Sequence, residues 1–254
     1  MTPLSALELF AIGVAASIFG SIVGLGGGFV IIPILRVAFG VPPAQVAGTS
    51  LLMVLANTGA STFGYLRHRT VDLQLALPFT VGAVPGSILG VVAVKRFTPS
   101  GFDITYGAVL IVLAVVVILR RSVAPRAVGE RSFAHDPRIG VIAGLGIGFF
   151  SSLFGIGGGI VLIPLLLIAA RMPPHIVTAT SAFIITTTAP VGVLAHAVGG
   201  DVDWPFSVPL ILGGLVGGSV GPLIQKRVSS PTLITLLAAA LIAAALGLAL
   251  RHIF

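Results

Sequence analysis

Two glycine clusters interrupt apolar runs at matching places in this chain. Gly24-Leu25-Gly26-Gly27-Gly28 is followed by Pro33, and Gly155-Ile156-Gly157-Gly158-Gly159 is followed by Pro164, at an offset of 131 residues. Adjacent glycines loosen a helix and supply no side chain to pack. In a membrane, unwound backbone persists only where protein buries it or where it lines a cavity. Paired breaks at corresponding positions of two halves are the sequence mark of a transporter's binding site.

The rest of the chain supplies the membrane. Of its 254 residues 56% are hydrophobic and 8% charged, with a mean hydropathy of +1.16. A soluble domain carries about 25% charged residues, so this composition predicts an all-α polytopic membrane protein. The absence of cysteine excludes disulfides, thiolate catalysis and cysteine-held metal. The net charge of +7 sits in loops between apolar runs, which fits positive-inside topology and not nucleic-acid binding. No Lys or Arg lies in residues 1–10, so the basic start of a signal peptide is lacking there.

Read in order, residues 4–23 make a first span and 29–39 a short apolar segment that ends at Gly40-Val41-Pro42-Pro43. A continuous helix over residues 5–39 would measure about 52 Å against a hydrocarbon core of about 30 Å. A hairpin with the glycines at its tip resolves the mismatch. Full spans follow at 44–66, 73–94 and 104–119, and a polar linker runs from Arg120 to Pro137.

The second half retraces the first. Pro42-Pro43 returns as Pro173-Pro174, Thr49-Ser50 as Thr180-Ser181, Val71-Asp72 as Val202-Asp203, and Lys95-Arg96 as Lys226-Arg227. Gly82, Gly86 and Gly90 return as Gly213, Gly217 and Gly221, four apart on one face, a spacing suited to close helix crossing. A constant offset over some eighty residues is a duplication. It predicts two homologous bundles facing each other: residues 1–119, a cytoplasmic linker at 120–137, and residues 138–254. Each repeat is expected to be a glycine-tipped broken-helix hairpin plus three transmembrane helices, with the second repeat inverted relative to the first.

The doubled pattern, GLGGGFVIIPIL at 24–35 and GIGGGIVLIPLL at 155–166, with the double proline and Thr-Ser pair after each copy, resembles the sulfite exporter TauE/SafE family. The resemblance covers nearly the whole chain outside the linker and the extreme termini. It implies a membrane transporter of small sulfur oxyanions or organosulfonates, such as sulfite, thiosulfate or sulfoacetate.

The residues give an independent reason for an anion. Each glycine loop opens into a short helix, 29–39 or 160–170, so free N–H groups and the positive end of the helix dipole meet at the break. The expected substrate site is therefore Gly26, Gly27 and Gly28 with Gly157, Gly158 and Gly159. Hydroxyls of Thr49, Ser50, Thr180 and Ser181 lie about two turns into the helices that start at each proline pair, and Asn57 and Thr188 lie at mid-span. Those hydroxyls either donate to an oxyanion or bond back to their own helices. A β-branched residue at Gly27 or Gly158 is expected to abolish binding without loss of the fold. Arg36 is read as snorkelling to the interface, with a counter-ion role as the other reading, and His196 as interfacial, with proton handling as the other reading.

No carboxylate falls in the middle of a span, and no metal or catalytic motif is recognisable, so neither a cofactor nor a metal is expected. The partners are a small anionic substrate and the lipid bilayer, with no nucleic acid, and a homo-oligomer is compatible with the sequence. Export needs no ionisable group, because each negative charge leaving a negative interior gains about 2.3 kcal/mol per 100 mV. The sequence thus points to uncoupled, electrogenic efflux by alternating access. Proton- or sodium-coupled uptake, an anion channel and a membrane-embedded enzyme are the alternatives. Counting Lys and Arg places the linker in the cytoplasm and both termini outside the inner or plasma membrane.

Overall fold

In the computed structural model, which describes residues 3–120, 133–225 and 227–250, the chain forms ten α-helices and no strand among those residues. The first half holds α1 (Pro3–Val23), α2 (Gly28–Ala38), α3 (Pro43–Arg67), α4 (Leu73–Val94) and α5 (Pro99–Arg120). The second holds α6 (Pro137–Phe154), α7 (Gly159–Pro164), α8 (Pro174–Val198), α9 (Trp204–Gln225) and α10 (Ser230–Leu250). Most of the expected linker, from Arg121 to Ser132, lies outside the described residues, as do Lys226 and Arg251.

Local chemistry sets the boundaries. Pro43 and Pro174 occupy the first turns of α3 and α8, where a missing N–H costs nothing. Asp72 accepts from Leu75 N at 3.1 Å to cap α4, and Asp136 accepts from Arg138 N at 2.9 Å to cap α6. The second short helix departs from the regular helix expected at 160–170: α7 stops at Pro164 and residues Leu165–Ala169 continue as a π-helical turn. The equivalent Pro33 leaves α2 regular. The last turn of α2 is anchored by Arg36, where the other half has Leu167.

Among the described residues seven helices, α1, α3, α4, α5, α6, α8 and α9, are long and apolar enough to cross a membrane. Their outer faces expose Leu77, Val81 and Leu89 on α4, Val112 and Leu119 on α5, and Val208 and Leu212 on α9. That much contiguous apolar surface requires lipid.

The halves do not stand side by side as separate bundles; they interleave. α1 lies along α9, and equivalently α6 lies along α4. Gly82, Gly86 and Gly90 abut the carbonyls of Val141, Leu145 and Phe149, while Gly144 and Gly148 abut those of Phe79 and Ala83 from the other side. Gly213, Gly217 and Gly221 meet Phe10, Ser17 and Ser21 in the matching seam. The four-residue glycine rows are thus packing faces, and each row's partner belongs to the other half. In both seams residue numbers rise together, so the paired helices run parallel. α3 and α8, the repeat counterparts at the centre, run antiparallel: Leu51 packs at Gly192, the Thr62 and Thr186 hydroxyls share a 2.9 Å hydrogen bond, and Tyr65 packs with Ala179 and Ala182.

Candidate functional site

The two glycine loops meet. A Cβ at Gly28 would stand 2.8 Å from the Gly155 carbonyl oxygen, and one at Gly159 would stand 2.8 Å from that of Gly24. Glycine is required here for conformation as well as space. Gly24, Gly26 and Gly27 take φ of 88°, 75° and 81°, and Gly155, Gly157 and Gly158 take 75°, 78° and 77°, a region that side-chain-bearing residues avoid. All ten loop residues are buried.

Some of the N–H groups are paired, while those of Gly27, Gly157 and Gly158 and of the helix starts are not, among the described residues. Those of Gly24 and Leu25 donate to the Gly20 carbonyl at 2.7 and 2.8 Å, and those of Gly155 and Ile156 to the Ser151 carbonyl at 2.8 and 3.2 Å. The N–H groups of Gly28 and Phe29, and of Gly159 and Ile160, have no acceptor among the described residues. These four open the two short helices, one of which runs through α2 and the other through α7 and its π turn. The helix dipoles add positive potential at the same place.

The Thr-Ser pairs are already engaged across the halves. Ser50 Oγ donates to Gly155 O at 2.9 Å, and Ser181 Oγ donates to Gly24 O at 3.0 Å. Thr49 Oγ1 accepts from Asp203 N and Thr180 Oγ1 from Asp72 N, each at 3.0 Å. The serines therefore belong to the loop contact, while the threonines fasten each central helix to the other half's fourth helix. Asn57 accepts from Ser21 Oγ at 2.9 Å and donates Nδ2 to Ser17 O at 2.7 Å, which ties α3 to α1. Thr188 bonds back to Ile184 O at 2.8 Å. Cavities of about 420 Å³ between α2 and α10 and about 660 Å³ between α4 and α8 have largely apolar walls and touch neither loop.

One reading of a single residue changes. Arg36 does not snorkel. It is 1% exposed and donates Nε and Nη2 to the Asp103 carboxylate at 2.7 and 2.6 Å, with further bonds to Val41 O and Pro99 O. Sequence marks Asp103 only as a carboxylate at the edge of a span, and nothing local pairs it with an arginine 67 residues away. His196 is 0% exposed and lies two residues before the end of α8. Gly27 and Gly158 also lack room for a branched side chain: Cβ atoms there would stand 2.6 Å from the Ala16 carbonyl oxygen and 2.6 Å from the Ile147 side chain. Substitution would thus strain the fold as well as the loop.

The family model described as "Sulfite exporter TauE/SafE" matches residues 9–248. The chain belongs to this family. Its relatives include "Probable membrane transporter protein YunE" of Bacillus subtilis (strain 168), 29% identical over 94% of this chain and 95% of that protein. "Probable membrane transporter protein MJ0441" of Methanocaldococcus jannaschii is 28% identical over 87% and 86%. A "Probable membrane transporter protein" of Xylella fastidiosa (strain 9a5c) is 27% identical over 82% and 80%. No solved structure gives a significant match. As a TauE/SafE protein with these helices the chain is a multi-pass membrane transporter, and the names of its relatives are those of transporters, not enzymes.

Proposed function

We propose that this TauE/SafE protein exports a small sulfur oxyanion (sulfite, thiosulfate or a short organosulfonate) by alternating access of two inverted repeats. The observation that carries the reading is the meeting of two glycine loops, one from each half, with the N–H groups of Gly28, Phe29, Gly159 and Ile160 lacking an acceptor among the described residues. Unpaired N–H groups at helix starts bind oxyanions, and the Val54 and Ile185 side chains that pack against these glycines must move aside to admit one. The antiparallel course of α3 and α8 supports the inverted relation of the repeats, because repeat counterparts then cross the bilayer in opposite senses.

Burial of both loops corresponds to an occluded state. The bonds Ser50–Gly155 and Ser181–Gly24 cross between the halves, so opening to either side breaks them. Each is worth about 0.5–1.5 kcal/mol net, small enough to break and re-form in every cycle. With an oxyanion present, the same hydroxyls turn from carbonyl to substrate. Outward movement of the anion then gains about 2.3 kcal/mol per charge per 100 mV.

The test is thermal unfolding of purified protein in detergent, titrated with sulfite, thiosulfate, sulfate and sulfoacetate against chloride at equal ionic strength. A bound anion stabilises the folded state by mass action, by about 2.7 kcal/mol at about a hundred times its Kd, and so raises the midpoint. The Ser50→Ala/Ser181→Ala variant is expected to lose most of that shift. If no sulfur anion raises the midpoint above the chloride control, the proposal is wrong.

A further inference from the structure

Both halves tie the C-terminal part of their central helix to their first helix at the same place, with different chemistry. In the first half the Tyr65 hydroxyl donates to the Ser21 carbonyl at 2.8 Å. The equivalent residues of the second half are His196 and Ser152, and His196 Nε2 lies 2.9 Å from the Ser152 carbonyl oxygen. A carbonyl only accepts, so Nε2 carries a hydrogen. Tyrosine has then used its one donor, but histidine keeps a second nitrogen. That nitrogen, Nδ1, faces Asp201 Oδ2 at 3.3 Å. The first-half equivalent of Asp201 is Thr70, which does not ionise.

A neutral imidazole beside an ionised carboxylate would set two lone pairs against each other. His196 is 0% exposed, so water does not relieve the clash; the Asp201 side chain is 12% exposed. One proton, on Nδ1 or on Oδ2, turns the contact into a hydrogen bond. Lys95, at the end of α4, is the other charged group here, with Nζ 3.3 Å from Asp201 Oδ2 and 3.3 Å from Gly199 O. It balances the carboxylate and so competes with the proton without removing the lone-pair conflict. α3 presents Gly48 and α6 the Ser152 backbone, neither of which titrates.

We propose that the His196–Asp201 pair binds a coupling proton. The proton passes from water to Asp201, whose side chain is 12% exposed, and is shared with Nδ1, and it returns to water when the halves rearrange. Tyr65 and Thr70 are the proton-insensitive version of the same tie. Ser152 precedes Gly155 by three residues in the helix that carries the second glycine loop, and Gly155 N donates to Ser151 O. The His196 ring thus joins the proton site to the helix end that positions that loop. The proton site stands on its own geometry; its link to flux rests on the anion-transport reading and replaces the uncoupled efflux read from sequence.

Two measurements test it. In protein labelled with ¹⁵N in the histidine rings, the His196 signals, assigned by their loss in His196→Gln, are expected to titrate and to shift in Asp201→Asn. A His196 ring that holds one neutral tautomer at every pH and ignores Asp201→Asn overturns the site. In proteoliposomes, efflux of thiosulfate or sulfoacetate by the wild type is expected to move protons and to change about tenfold between about pH 6 and about pH 8. His196→Tyr/Asp201→Thr, which installs the first-half residues, is expected to keep efflux while losing proton movement and the pH dependence; His196→Gln serves if the double variant does not fold. Proton movement unchanged in these variants overturns the coupling. Wild type that moves neither anion counts against the transport reading and its coupling, while the ring titration still decides the proton site.

Discussion

Arg36 and Asp103 show what a buried charge asks of its surroundings. The guanidinium spends its donors on one carboxylate and two carbonyls, and Phe102 lies against it at 5.8 Å. Removing one charge strands the other, which costs about 3–5 kcal/mol, whereas an apolar pair of similar size is neutral or stabilising. The second half supplies that apolar pair, Leu167 and Ile234, at the equivalent positions. Asp103→Asn is therefore expected to lower the thermal midpoint in detergent severely, and Arg36→Leu/Asp103→Ile to restore it. Equal loss in both variants would mean that the ion pair has a role beyond neutralising itself. Sequence reveals an arginine in an apolar half-helix but not its partner, because pairing across 67 residues is a property of the fold. The serines are similar: Ser50 and Ser181 are legible as a recurring pair, whereas their bonds to the opposite loop appear only once the loops meet.

At the scale of helices, the two seams are set by glycine and by little else. A Cβ at Gly86 would run into the Leu145 carbonyl, while one at Gly146 on the facing helix would touch nothing within 4 Å. Gly86→Ala should thus cost about 1–3 kcal/mol through forced separation of α4 from α6. Gly146→Ala should be neutral or stabilising by up to about 1 kcal/mol from helix propensity. Monodisperse recovery after graded heating separates the two, and equal recovery would refute the seam. The glycine rows, the proline starts and the hairpin tips are legible because each is a local requirement repeated at one offset. Which helix a glycine row faces is not legible: spacing of four defines a face, and the neighbour is chosen by the whole chain. The π turn after Pro164 was equally hidden, since Pro33 occupies the same place in α2 without one.

For the molecule as a whole, the inverted arrangement with the central linker in the cytoplasm and both termini outside remains a proposal with a direct test. Cysteines introduced at Ser132 and Thr2 are expected to react with an impermeant reagent from opposite sides of the membrane. Reaction from one side would sink the inversion. The interleaved seams also bear on how the protein is made. α1 emerges first, yet the helix it packs against carries Gly213, 200 residues beyond Gly13. At about 5–20 residues per second, α1 waits about 10–40 s for that partner, with Ser17 and Ser21 on the face that α9 will cover. α6 finds α4 already in the bilayer. Assembly therefore has a direction: the α4–α6 seam closes during synthesis, and the α1–α9 seam closes only as the chain is nearly finished. Until then the insertion machinery or lipid must shelter the face of α1 that α9 will cover.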